Sequence, residues 1–135
     1  LTVRFGGANA LLPDAVYLAF GGPNATGEAL SLDVLDGARV TRFLAPGPTD
    51  LGLVVRGAGD VNGDGYDDLL VSDWTGTPDA ARPDAGRVWL VYGHDAPFAA
   101  TTDLAALPAA AAARIEGDAD SALLGRRASS AGDIN

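Results

Sequence analysis

The sequence predicts an all-β fold, and three observations support that expectation. Short apolar segments of strand type recur along the chain and are bounded by Gly, Pro, Asp and Asn. Two of these segments, residues 16–20 and 88–92, match position by position at a spacing of 72 residues. A loop of alternating Asp and Asn side chains, residues 60–68, separates two further strand-like segments. An internal repeat of this kind is typical of repetitive β architectures, so we expect little helix.

The strand signals follow one another in units of four. The first part of the chain has three, at residues 1–5, 15–20 and 39–44. The next part has four, at residues 51–59, 69–72, 87–92 and 113–116. Residues 123–132 then repeat the opening of that unit. The sequence therefore predicts most of one unit over 1–50, a complete unit over 51–118, and the first strand of another over 119–135.

Three connecting segments have signals of their own. Residues 29–34 alternate enough between apolar and polar to form an extra strand. Asp103 is placed to cap one helical turn over 103–107, which Pro108 would end. Residues 75–86 are polar and rich in Gly and Pro, which predicts a loop.

The loop 60–68 has the pattern of a site for a hard divalent cation. Oxygen side chains recur at alternate positions, Gly65 allows a sharp turn, and a backbone carbonyl is available in between. Crowded carboxylates repel one another unless a cation lies among them. The candidate Ca²⁺ ligands are Asp60, Asn62, Asp64, Tyr66 through its carbonyl, and Asp68. A partial second loop contains Asp133 and Asn135.

Other interpretations of this loop lead to different structures. An EF-hand or dockerin loop needs flanking helices and an acidic residue at its twelfth position. That position is Val71, within a segment of strand character, so Asp68 would have to close the site. A tight polar turn without an ion is the other alternative.

Composition excludes several classes of partner. The net charge is −9, and all nine basic residues are Arg, so we expect no binding to nucleic acid or anionic membranes. The chain contains no run of 18 apolar residues, which predicts no direct membrane insertion. The absence of Cys leaves bound calcium as a possible source of rigidity, because a ligand that binds only the folded state stabilises it.

The remaining candidate residues are expected to have structural roles, and we expect no catalytic activity. No nucleophile elbow, zinc-protease motif or phosphate-binding loop is present. Trp89 alternates with Val88 and Leu90, which predicts packing, whereas Trp74 in a loop is the better candidate for ligand stacking. The others are expected to lie in surface turns: His94, Glu116, Asp118 and Asp120.

Residues 57–71 read Gly-Ala-Gly-Asp-Val-Asn-Gly-Asp-Gly-Tyr-Asp-Asp-Leu-Leu-Val. Residues 86–93 read Gly-Arg-Val-Trp-Leu-Val-Tyr-Gly. Together these two segments resemble the FG-GAP repeat of integrin α-chain β-propellers, especially bacterial members. Leu51-Gly52 and Leu124-Gly125 stand where the family has Phe-Gly. Ser72-Asp73-Trp74 departs from its Gly-Ala-Pro. The resemblance implies a partial β-propeller of about two four-stranded antiparallel blades, with calcium in the hairpin between the first two strands of a blade.

The resemblance also implies a function. The expected role is a non-catalytic, calcium-stabilised module of a secreted or cell-surface protein that supports adhesion or recognition of a protein or glycan. A propeller portion of a larger secreted hydrolase and a purely structural surface repeat are the alternatives. The chain starts without Met and stops inside the second loop, so we expect an excerpt that packs against neighbouring blades or self-associates.

Overall fold

The computed structural model describes residues 2–5, 15–20, 39–47, 50–129 and 131. Within these ranges the chain forms β-strands and one turn of 3₁₀ helix, Leu104–Ala106, and contains no α-helix. The all-β class predicted from the sequence is therefore confirmed for this part of the chain. The strands are β1 (Thr2–Phe5), β2 (Ala15–Ala19), β3 (Val40–Leu44), β4 (Leu51–Gly59), β5 (Asp68–Asp73), β6 (Arg87–Val91), β7 (Thr101–Asp103) and β8 (Ala112–Glu116).

The strands form two four-stranded sheets, neither of which is closed. The first sheet has the order β1-β2-β3-β7, and the second has the order β4-β5-β6-β8. Neighbouring strands are antiparallel except for β3 and β7, which are parallel. The β4–β5 pair is a hairpin, in which residues 60–67 reverse the chain direction, whereas β6 and β8 are joined by a longer connection that contains β7.

The two sheets contain equivalent antiparallel strand pairs at the predicted repeat spacing. Ala15 pairs with Leu44 in the first sheet, and Arg87 pairs with Glu116 in the second. Adding 72 to each number of the first pair gives the second pair, so β2–β3 and β6–β8 have identical register. Because a one-residue slip would turn every side chain to the opposite face, this identity places equivalent residues on equivalent faces.

One hydrophobic core joins the two sheets. Val16 and Phe43 come from the first sheet, and Val71 and Trp89 are among the contributors from the second. All of these side chains are almost completely buried. The alternation along β6 explains the position of Trp89, since Trp89 and Val91 share one face of the strand. The predicted packing role of Trp89 is confirmed.

The pairs Leu51-Gly52 and Leu124-Gly125 adopt related conformations. Gly52 has φ +81° and Gly125 has φ +89°, values that a residue with a Cβ rarely adopts. Leu124 forms a parallel bridge with Gly86, where an added Cβ would collide with the Leu124 backbone. Gly86 and Gly125 therefore allow residues 124–125 to lie close to β5 and β6 of the second sheet.

The connection between β6 and β8 departs from a simple hairpin. Residues 101–103 form β7, which leaves the second sheet and pairs with β3 of the first. The predicted helical turn follows directly, and the amide of Ala105 donates to Asp103 Oδ1 at 2.9 Å, so the capping role of Asp103 is confirmed. Residues 75–86 form the expected irregular connection. The proposed extra strand at 29–34 lies outside the described residues.

No helical segment in the described ranges has the length and apolar character needed to cross a membrane.

Candidate metal centre

The candidate ligands lie in the loop that joins β4 to β5. Strand β4 ends at Gly59 and β5 begins at Asp68, so the loop spans residues 60–67. Gly63 and Gly65 have φ of +77° and +92°. These left-handed conformations turn the backbone tightly twice within three residues, and they explain why glycine occupies both positions.

Asp60 organises the first half of this loop. Its Oδ1 accepts hydrogen bonds from the amides of Gly63 at 2.7 Å and Asp64 at 3.0 Å. Its Oδ2 accepts another from the amide of Gly65 at 2.8 Å. A single carboxylate therefore folds the next five residues around itself, which is the local side-chain-to-backbone bonding that Asp favours in turns.

Asn62 and Asp64 are linked to each other on the solvent side of the loop. The amide nitrogen of the Asn62 side chain donates to Asp64 Oδ2 at 2.8 Å, and the Asp64 amide donates to Asn62 Oδ1 at 3.1 Å. Asp64 Oδ1 accepts from the amide of Tyr66 at 2.9 Å. The side chains of Asp60, Asn62 and Asp64 are all exposed, so solvent ions can reach their oxygens.

Asp68 has a different position at the base of the loop. The residue is only 2% exposed, and its carboxylate bridges two parts of the fold. Oδ2 accepts from the amide of Val61 and Oδ1 accepts from the amide of Gly93, both at 2.9 Å. Asp68 therefore ties the start of the loop to the end of β6.

Gly93 completes this anchor at the end of β6. An added Cβ at this position would overlap the backbone carbonyl of Asp67, so only glycine allows the loop to approach so closely. Gly93 was not among the residues predicted for the site. The sequence shows it only as part of a Tyr-Gly pair at a strand end, and its contact with Asp68, 25 residues earlier, depends on the fold.

The donor chemistry of the loop fits a hard cation. All five predicted ligands offer oxygen, which Ca²⁺ prefers. Asp60 Oδ1 already accepts from two amides, whereas Asp60 Oδ2 and both carboxylate oxygens of Asp64 and Asp68 accept one hydrogen bond each and keep a lone pair for an ion. Residues 60–68 contain four Asp residues and no basic residue. Within the described residues, no three acidic or His side chains are arranged as a metal-binding group. Asp133 and Asn135 of the second loop lie outside those residues.

The other candidate residues have structural contacts. His94 is exposed, and its ring lies 4.2 Å from the ring of Phe98. The guanidinium of Arg126 lies 5.5 Å from the ring centroid of Trp74, so one face of that indole is already covered. Glu116 forms ion pairs with Arg82 and Arg114 rather than joining an acidic cluster.

The ion pair between Arg82 and Asp79 perturbs the titration of its carboxyl group. Arg82 Nη2 lies 2.6 Å from Asp79 Oδ2, and this hydrogen bond holds the pKa of Asp79 below its ordinary value. Asp79 is exposed and Arg82 is half-buried, and both lie in the connection between β5 and β6. The other hydrogen bonds of Arg82 are to Glu116 and the Gly117 carbonyl. The pair therefore belongs to the surface of the second sheet, not to the candidate metal site.

Comparison of the chain with protein-family models, with curated proteins and with solved structures finds no match.

Proposed function

We propose that this chain is a non-catalytic, calcium-stabilised module of propeller type, which belongs to a secreted or cell-surface protein and supports recognition of a protein or glycan. The observation that carries the proposal is the loop between β4 and β5. Its oxygen side chains alternate in sequence, and its two ends are fixed by the carboxylates of Asp60 and Asp68.

The repeated strand pair supports the architectural part of this proposal. Each sheet has four strands, and one strand pair in each has the same register 72 residues apart, as expected for successive propeller blades. The parallel pairing of β7 with β3 departs from an all-antiparallel blade. The shared core between the sheets is consistent with face-to-face packing of neighbouring blades.

Calcium would have a structural role at this site. Asp60, Asn62, Asp64, the carbonyl of Tyr66 and Asp68 would hold the ion, and the ion would offset the repulsion among the carboxylates. The β4–β5 hairpin would then keep its register with less electrostatic repulsion among the carboxylates. A loop with three ligating carboxylates belongs to a class of extracellular sites with dissociation constants on the order of 0.1–1 mM. Such a site is filled outside cells, which is consistent with the proposed location.

Thermal unfolding tests the calcium part of the proposal. At calcium concentrations about 10 to 100 times the dissociation constant, mass action adds about 1.4–2.7 kcal/mol. For a chain of this size, the melting temperature should rise by about 5–10 °C relative to EDTA. The Asp64→Ala variant should lose this rise, because it removes an exposed ligand without disturbing the buried anchor at Asp68.

The matched control is Asp95→Ala, which removes an exposed carboxylate from a different loop. This variant should keep the full calcium response of the native chain. If the native chain melts at the same temperature in calcium and in EDTA, the proposed role of calcium is wrong. The recognition role is tested separately, by protein and glycan arrays probed with and without calcium.

A further inference from the structure

Strands β3 and β8 occupy equivalent positions in the two sheets, but their outer edges differ. Residues 40–44 of β3 correspond to residues 112–116 of β8 through the shared register. The outer edge of β3 is covered by β7, which runs parallel to it. The outer edge of β8 is the end of the second sheet. The strand that covers β3 therefore indicates what kind of strand would bind to the outer edge of β8.

The backbone groups that hold β7 have counterparts on β8. In an antiparallel pair, alternate residues direct their amide and carbonyl groups away from the partner. The amide of Arg42 points outward in this way and donates to the Ala100 carbonyl at 3.0 Å. Arg114 is the equivalent residue on β8, since it stands 72 positions later and pairs with Trp89 as Arg42 pairs with Tyr17. Its amide therefore faces the open edge.

The side chains next to the edge show the same relation. Phe43 is completely buried, and its ring contacts Phe98 edge-on at 5.6 Å. Phe98 lies just before β7 and arrives with that strand. Ile115 is the equivalent of Phe43, yet it is 55% exposed. Phe43 is covered both by Phe98 and by core residues of the second sheet, whereas in the described residues neither an aromatic ring nor a further sheet covers Ile115.

The two edges also have an arginine at the same register position, Arg42 on β3 and Arg114 on β8. Arg42 Nη2 donates to Thr101 Oγ1 at 3.2 Å and so binds the first residue of β7. Arg114 has the same place on β8, is half exposed, and donates through Nε to Glu116 at 2.9 Å. A hydroxyl on an incoming strand would find there a guanidinium whose other nitrogens can donate.

We propose that the outer edge of β8 is a docking surface for an extended segment of the β7 type, which adds in parallel and places an aromatic ring on Ile115. The partner segment has the pattern of residues 98–103: an aromatic residue, two small residues and two residues with hydroxyl groups. Another repeat unit of this kind would supply it. Strand addition at an exposed sheet edge is a common mode of peptide recognition, in which main-chain hydrogen bonds give affinity and side-chain pockets give specificity.

One difference between the edges restricts the partner. Leu44 of β3 stands opposite Asp103 of β7, whereas the equivalent position on β8 is Glu116. An Asp on the incoming strand would lie beside this carboxylate, and like charges on adjacent strands oppose pairing. The partner is therefore expected to have a neutral or basic residue at the Asp103 position.

A peptide-binding experiment tests this proposal on the whole chain. The probe is a fluorescein-labelled synthetic peptide with the sequence of residues 97–105 and the change Asp103→Asn. Fluorescence anisotropy should show saturable binding, and hydrogen exchange should slow at residues 112–116. The unchanged peptide with Asp103 should bind about two- to fivefold more weakly. A Phe98→Ala peptide should bind about tenfold more weakly or worse, because the buried ring is lost.

Matched protein variants locate the binding surface. Ile115→Ser should weaken binding about fivefold or more, whereas Val61→Ser, which changes an equally exposed residue in the β4–β5 loop, should leave it unchanged. Binding should persist in EDTA, so this test does not depend on the calcium site. Three results would overturn the proposal: no binding at the highest soluble peptide concentration, exchange slowed at residues 40–44 instead, or equal affinity of the Ile115→Ser variant.

Discussion

Replacing Trp89 with Ala is expected to lower the free energy of unfolding by about 3–5 kcal/mol, the range for removing a large buried aromatic side chain. Trp89 is 1% exposed and lies in the cluster that contains Val16 and Phe43 of the opposite sheet. Its loss would therefore open a cavity between the two sheets. Urea unfolding followed by far-ultraviolet circular dichroism measures the change, because this signal comes mainly from the backbone and remains usable when a tryptophan is replaced.

Trp74 provides the matched control for this experiment. Trp74 lies outside the core cluster and is half-buried under Arg126, so Trp74→Ala should cost about 1 kcal/mol. The loss of unfolding free energy in Trp89→Phe should lie between these two values. The variant keeps an aromatic ring in the core, and it removes an indole N–H for which the described residues supply no acceptor. Equal losses in Trp89→Ala and Trp74→Ala would contradict a core shared by the two sheets.

Replacing Asp68 with Ala is expected to destabilise the chain by about 2–4 kcal/mol even without calcium. The substitution leaves the amides of Val61 and Gly93 without their acceptor, and hydrogen bonds to a charged group contribute about 1.5–3 kcal/mol each. The same urea experiment in EDTA measures this loss. Because Asp68 is also a proposed ligand, the variant should lose the calcium response as well.

Asp67→Ala separates these effects from a general loss of negative charge. Asp67 is the neighbouring residue, but its side chain is exposed. This variant should change the free energy of unfolding by less than about 0.5 kcal/mol. If Asp68→Ala is as stable in EDTA as Asp67→Ala, the two hydrogen bonds of Asp68 do not hold the loop in solution.

Much of the fold could be predicted from local sequence signals. Strand β4 ends at Gly59, before a run of Asp, Asn and Gly, and β6 ends before Gly93, so short-range turn chemistry marks their limits. The spacing between residues 16–20 and 88–92 also predicted that two segments would have equivalent positions. The equal register of β2–β3 and β6–β8 is the structural counterpart of that spacing.

Strand β7 could not be predicted in the same way. It contains only three residues, and Asp103 at its end has a strong local signal for a helical cap. Its pairing depends on the outer edge of β3, 59 positions earlier, and not on the residues next to it in sequence. Long-range pairing of a short strand leaves little trace in the strand's own sequence.

In the candidate site, too, some features could be predicted from the local sequence and others depend on the fold. The alternation of Asp60, Asn62 and Asp64 predicted a compact polar loop, and the observed bonds among these residues are local. The alternation could not show that Asp68 is buried and bonded to Gly93, because that contact joins the loop to the end of a different strand. Sequence spacing thus identifies the donors, and the fold decides which of them anchor the loop.

The most direct measurement is a calcium titration of the ¹⁵N-labelled chain at constant ionic strength, followed by the amide signals. A structural site in the β4–β5 loop predicts saturable shifts that centre on residues 60–68 and include Gly93, with a dissociation constant on the order of 0.1–1 mM. Magnesium at the same concentration should produce smaller shifts, because its octahedral preference suits this loop less well. Amide signals that stay unchanged at calcium concentrations well above that range, or shifts spread evenly over the acidic surface, would contradict a calcium site in this hairpin.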